Sequence, residues 1–253
     1  MKKKIKTLLC LLFPNKRITL KMIHGIYRGI KLNVSIKNQL GLILYPNETS
    51  LQNFLKKKLT AGDIAFDIGS NIGYTSILAS KLVGEKGRVY SIEPINDNFL
   101  ILKKNIQLNK CKNIIAIKKA ISNEEGEVEF LIPENGEELS MSSMVWNKKS
   151  TNVRKQLAKA ITIDNDTELG SLSPKTIKID VEGAEGLAIE GMKKLITRCK
   201  PKIYLECSNL GRETTWGIMK SLNYSCFLAK NSEQEIQDYD LYRHNDFVWI
   251  PNK

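Results

Sequence analysis

The chain has 253 residues, 42% hydrophobic and 26% charged, a balance that suits one large or two small globular domains and excludes a disordered or fibrous chain. Its 39 Lys+Arg against 27 Asp+Glu leave a net charge of +12, which raises a nucleic-acid or anionic-membrane partner. The lysines, however, are scattered as short runs such as Lys56–Lys58 and Lys103-Lys104 on the polar faces of expected helices, where a charge is usually just solvated.

Residues 1–47 read as an N-terminal extension and 48–253 as the main domain. The basic start, Lys2–Lys4, is followed by an apolar run from Leu8 to Phe13 that Pro14 stops without a cleavage site. That run is too short for a signal peptide or a membrane span. It suits peripheral contact with an anionic membrane, although a short packed helix or a loose tail is the favoured reading. Five widely spaced cysteines with no Cys-x-x-Cys pair indicate neither a zinc site nor a disulfide framework, so a reducing, cytoplasmic setting is expected. Alternation through Ile30–Ile36 predicts a small sheet in the extension. A helix with apolar positions at Leu51, Phe54, Leu55 and Leu59 follows.

From Ile64 the pattern alternates strand and helix. Strands are expected at Ile64–Asp67, Arg88–Glu93, Ile114–Ile117, Thr176–Asp180 and Lys202–Glu206. The helices between them are expected at Ile72–Val83, Phe99–Leu108 and Glu185–Thr197, with another at Thr214–Leu222. Two closing strands, Ser225–Ala229 and Phe247–Pro251, complete the pattern, which implies parallel strands with helices on both faces. The stretch from Ser122 to Asp164 interrupts it, with an edge strand at Glu127–Ile132 and a helix at Asn152–Ala160. Insertions of this kind commonly shape a substrate pocket.

Asp67-Ile-Gly69-Ser-Asn71-Ile-Gly73 joins the first of these strands to its helix. Glycines there let the backbone turn tightly against a ligand. The spacing is not Gly-x-Gly-x-x-Gly, and the preceding acid suits a ligand that carries no pyrophosphate. S-adenosylmethionine is such a ligand. Glu93, at the tip of the second strand, can accept hydrogen bonds from both ribose hydroxyls.

Lys178-Ile-Asp180-Val-Glu182-Gly-Ala-Glu185 places two acids at the carboxyl end of the fourth strand. One could hold the methionine end of the cofactor, while the other could take a proton from a hydroxyl or bind a divalent ion. Glu182 or Glu185 could equally serve the dipole of the next helix. Asp180 and Glu182 are the catalytic candidates, with Asp164 a weaker one. His24 and His244 read as structural.

Phe66–Thr75, Tyr90–Pro94 and Lys178–Glu185 together resemble the signatures of FkbM-type methyltransferases, in the expected order. Ala120-Ile-Ser122, Ser142-Ser143 and Thr162-Ile-Asp164 are lesser matches, and Ser70 departs from a frequent Ala. The resemblance implies a class I, Rossmann-like seven-stranded sheet with S-adenosylmethionine at its carboxyl edge. It implies O-methylation of a sugar, glycan or natural-product hydroxyl. It also implies that Asp67, Gly69, Asn71, Gly73 and Thr75 line the methionine part and that Ala120 and Ile121 lie near the adenine. Two alternatives compete. An RNA methyltransferase would use the charge, yet the chain has no Asn-Pro-Pro-Tyr-like tetrapeptide and no aromatic-rich basic stretch. A non-catalytic cofactor-binding scaffold is opposed by the intact Glu93 and Asp180.

Overall fold

The computed structural model describes residues 13, 16–23, 25–44, 49–133, 153–207, 212–238 and 246–252. Readings that fall on His24, His244, Cys10, Ser142-Ser143 and the first twelve residues lie outside them.

The extension supplies strands β1 (Arg17–Lys21) and β2 (Lys31–Ser35), paired antiparallel, and the short helix α1 (Leu40–Leu44). Helix α2 (Thr49–Lys58) leads into the alternating core: β3 (Ile64–Ile68), α3 (Tyr74–Val83), β4 (Arg88–Ile92), α4 (Asn96–Leu108) and β5 (Ile114–Ile117). After the insertion come β9 (Thr176–Ile179), α5 (Glu185–Glu190), α6 (Lys193–Cys199), β10 (Lys202–Glu206) and α7 (Arg212–Ser221). The chain closes with β11 (Tyr224–Leu228), β12 (Asn231–Ile236) and β13 (Asp246–Pro251). The insertion itself holds β6 (Ala120–Ile121), β7 (Gly126–Pro133) and β8 (Val153–Ile161).

The main sheet runs β5-β4-β3-β9-β10-β13-β11, with β12 added as an eighth strand on the β11 edge. β5, β4, β3, β9 and β10 are mutually parallel, and β13 enters antiparallel between β10 and β11. This is the class I methyltransferase architecture. The central strands are buried on both faces, which is why Ile64–Ile68 and Thr176–Ile179 carry so little alternation. The order reverses beside β3, so the connections that leave β3 and β9 part to opposite sides and open a crevice at the carboxyl edge of the sheet.

The extension shares the main core. Tyr27 stacks on Tyr74 with ring centroids 4.0 Å apart. Buried Asn105 of α4 accepts the Asn33 N–H at 2.7 Å and donates to the Ile72 carbonyl at 2.8 Å, so one side chain ties β2 to the glycine turn.

Two expected helices are corrected. The helix expected over Asn152–Ala160 is a strand across its described residues: β8 pairs antiparallel with β7 from Gly126↔Ala160 to Pro133↔Val153. Its Lys, Gln, Leu and Ala residues favour a helix intrinsically, but the facing strand supplies the backbone partners. Glu185–Thr197 is two helices, because Asp164 caps α6 through the Lys194 and Leu195 N–H groups at 2.8 and 2.9 Å. Among the described residues no helix is long and apolar enough to cross a membrane.

Candidate active site

The turn after β3 is held to β4, since the Gly69 and Ser70 N–H groups both donate to the Ile92 carbonyl at 3.0 Å. Gly69 has φ 75°, and a Cβ there would lie 1.7 Å from the Asp180 carbonyl oxygen. No other residue lets β3 and β9 approach so closely at this point. Asn71 also takes a left-handed conformation, φ 49°, which asparagine tolerates better than most. That twist aims its N–H at Glu93 Oε2, 2.8 Å away.

Glu93 is nearly fully buried. Its other oxygen accepts from Ile95 N at 3.0 Å and from Asn98 Nδ2 at 3.3 Å. Burial pushes the carboxyl up to about 7, opposed mainly by the Ile95 and Asn71 N–H groups. A carboxylate has about four acceptor sites, so these three bonds leave Oε2 with capacity for a further donor.

Beneath the turn lies a buried charge cluster. Lys178 Nζ donates to Asp180 Oδ2 at 3.0 Å and to the Gly69 carbonyl at 3.1 Å, and stands 3.8 Å from Asp67 Oδ1. Asp67 accepts a hydrogen bond from the Ser76 hydroxyl, and burial raises its carboxyl against the pull of Lys178. Asp67 therefore supports the turn from below and lines neither cavity described next. Glu185 is buried too, and its Oε1 accepts the Gly183 N–H at 2.7 Å. It braces the loop that carries Glu182, whose own φ is 53°.

Two cavities meet at this edge. The first is walled by Glu93, Ile95, Asn98, Ala120, Ile121 and Phe130. The second is roomier, about 300 Å³ against about 60 Å³, and includes Gln39, Thr75, Lys178, Tyr204, Glu206 and Asp246. Gly69, Asn71, Asp180 and Glu182 belong to both linings and form the seam.

The structure thus brings together Gly69, Asn71, Thr75, Glu93, Ala120, Ile121, Asp180 and Glu182. Gly73 stays behind the turn against Leu102, and Asp164 is engaged as the cap of α6. Sequence reasoning gave no role to Lys178, although a lysine inside the apolar strand Thr176–Ile179 is itself a signal. Gln39, Phe130, Tyr204, Glu206 and Asp246 carried no signal, because each lies far along the chain from the motifs.

The first cavity is lined by the buried acid Glu93 and by apolar Ala120, Ile121 and Phe130, and the buried Asn71 Oδ1 at the seam has no hydrogen-bond partner among the described residues. Among the described residues no three His, Cys, Asp or Glu stand close enough to hold a metal ion.

A family model described as the methyltransferase FkbM domain matches residues 67–239. A relative from Sulfurisphaera tokodaii, named "Probable cobalt-precorrin-6B C(15)-methyltransferase (decarboxylating)", is 30% identical over 143 residues, 54% of this chain and 73% of that protein. A structure described as a "putative rRNA-methylase" from Clostridium thermocellum superposes with a TM-score of 0.50 at 12% identity, over 85% of this chain and 96% of that one. The FkbM methyltransferase of Methylobacillus flagellatus KT superposes with a TM-score of 0.48 at 18% identity, over 75% of this chain. The present chain spans 43% of that protein's length.

Proposed function

The chain belongs to the FkbM methyltransferase family and is an S-adenosylmethionine-dependent methyltransferase, and from that premise we propose that it methylates a hydroxyl of a sugar, glycan or natural product. The observation that carries this reading is the seam. Asp180 and Glu182 stand in both linings, between the narrow first cavity and the roomier second one.

In this reading Glu93 and the Ala120-Ile121 edge hold the nucleoside, and the Gly69–Thr75 turn takes the methionine part. The sulfonium supplies an already activated methyl group. The protein's contribution is to align an acceptor hydroxyl in the second cavity with it. The acceptor oxygen forms the new C–O bond as the methyl–sulfur bond breaks. The hydroxyl proton passes to Asp180 or Glu182, and S-adenosylhomocysteine leaves. Lys178, bonded to one Asp180 oxygen, turns the carboxylate toward the seam.

The lining of the second cavity favours a neutral or cationic acceptor. It holds four acids, Asp180, Glu182, Glu206 and Asp246, against Lys178. A phosphate backbone would meet like charge there, so RNA is the less supported acceptor despite the net charge of +12. A radiolabelled methyl-transfer assay over a panel of hexoses, hexosamines and short RNAs tests this. Incorporation into a sugar hydroxyl that falls about 100-fold or more in Asp180→Asn or Glu182→Gln is the expected result. Incorporation into RNA alone, with both variants fully active, would sink the reading.

A further inference from the structure

We infer that the N-terminal extension forms the acceptor-reading wall of the second cavity, and that Gln39 within it is a specificity-determining hydrogen-bond donor. The inference rests on the hydroxyl-acceptor reading above and deepens it.

The orientation of the Gln39 amide is fixed by its partners. Its Oε1 accepts from Arg17 Nη2 at 2.9 Å and from the Ser35 N–H at 3.1 Å. A guanidinium and a backbone N–H can only donate, so the atom that meets them must be the oxygen. The amide nitrogen is thereby turned away from both donors, and Gln39 is part of the second cavity's wall. What it offers an occupant is an N–H.

Arg17 is itself anchored. Its Nε donates to Asn33 Oδ1 at 3.2 Å and its Nη2 to the Asn33 carbonyl at 2.8 Å, and burial lowers its guanidinium from the ordinary value. Asn33 is held in turn by Asn105, the residue that also fixes the glycine turn. A continuous set of hydrogen bonds therefore runs from the cofactor turn to Gln39. Such support from behind is what holds a recognition group in place.

The other polar residues of the same lining make this donor matter. Asp180, Glu182, Glu206 and Asp246 carry carboxylates, which when ionised accept hydrogen bonds and do not donate them. A polyhydroxylated acceptor satisfies them by donating its hydroxyl protons. Gln39 contributes what they lack, a donor for a hydroxyl or carbonyl oxygen of that acceptor. The class this fits is a neutral sugar or an N-acylated amino sugar.

Gln39→Glu isolates the claim. One carboxylate oxygen keeps the contacts with Arg17 and Ser35, while an acceptor replaces the N–H. The wild type and variant are compared for methyl transfer to free hexoses and N-acetylhexosamines, with S-adenosylhomocysteine affinity measured by calorimetry and folding by thermal melting. The expected result is an acceptor KM raised at least about 10-fold, a smaller change in kcat, and unchanged S-adenosylhomocysteine affinity and melting. Arg17→Lys, which loses the fork that orients Gln39, raises KM less. An unchanged KM in Gln39→Glu would overturn the inference. So would a loss of S-adenosylhomocysteine affinity with KM unaffected, which would assign Gln39 to the methionine end. A wild-type chain that binds S-adenosylhomocysteine and methylates none of the sugars removes the hydroxyl-acceptor reading, and the inference with it.

Discussion

The two cavities at the carboxyl edge are built on different principles. The first cavity is narrow, and its floor is set by backbone: a left-handed turn pressed against the Asp180 carbonyl, with one buried acid held by N–H groups. The second cavity, the proposed acceptor site, is wider and is lined by residues from the extension, the turn, β9, β10 and β13. A backbone-defined pocket has few ways to change and keeps its ligand. A side-chain-defined pocket can be rewritten one residue at a time without disturbing the sheet.

That contrast is broken most severely at Gly69. Gly69→Val places side-chain atoms where the Asp180 carbonyl stands and forces a β-branched residue to φ 75°. S-adenosylhomocysteine binding is expected to fall by 100-fold or more in calorimetry, with a lowered melting temperature. Near-wild-type affinity would mean that the turn does not shape the cavity. Lys178→Met comes next. It leaves Asp67 and Asp180 without the cation between them, a loss of about 3 kcal/mol typical of a broken buried pair. Urea unfolding monitored by circular dichroism checks this, and an unchanged midpoint would refute the buried cluster.

A smaller effect sharpens the comparison through pH. The folded Glu93 carboxyl sits at about 7, above its ordinary value of 4.5, because burial disfavours the charge. The folded chain therefore holds more protons than the unfolded chain between those values. Glu93's contribution lowers the stability of the ligand-free protein as pH rises through that window. A ribose diol hydrogen-bonds to the ionised form. The rise in melting temperature given by S-adenosylhomocysteine should thus be larger at pH 8 than at pH 6. Thermal shifts that do not vary over this range would remove Glu93 from the ribose.

The difference between the cavities also explains how much of the molecule was legible in its sequence. Gly69, Asn71 and Glu93 lie within 25 residues of one another, as does the sheet register that brings them together, so motif spacing finds them. Asp180 follows from its place at a strand end. Gln39, Glu206 and Asp246 line one cavity only because the ends of β2 and β10 and the start of antiparallel β13 lie on the same side of the fold, a long-range fact with no local signature. β8 was misread for a related reason. Its helix-favouring residues are overruled by pairing with β7, a partner that local propensity cannot include. Lys178 shows the reverse: its oddity was visible in an apolar strand, but only the folded positions of Asp67 and Gly69 give it a task.

The central claim is that a single buried acid, Glu93, anchors the nucleoside in the backbone-defined cavity. Calorimetric titration of S-adenosylhomocysteine into the wild type and Glu93→Ala tests it most directly. Tight wild-type binding is expected, with an affinity at least about 10-fold weaker in the variant, consistent with losing a charge-assisted bond. Equal affinities in the two proteins, or no binding to the wild type, would contradict it.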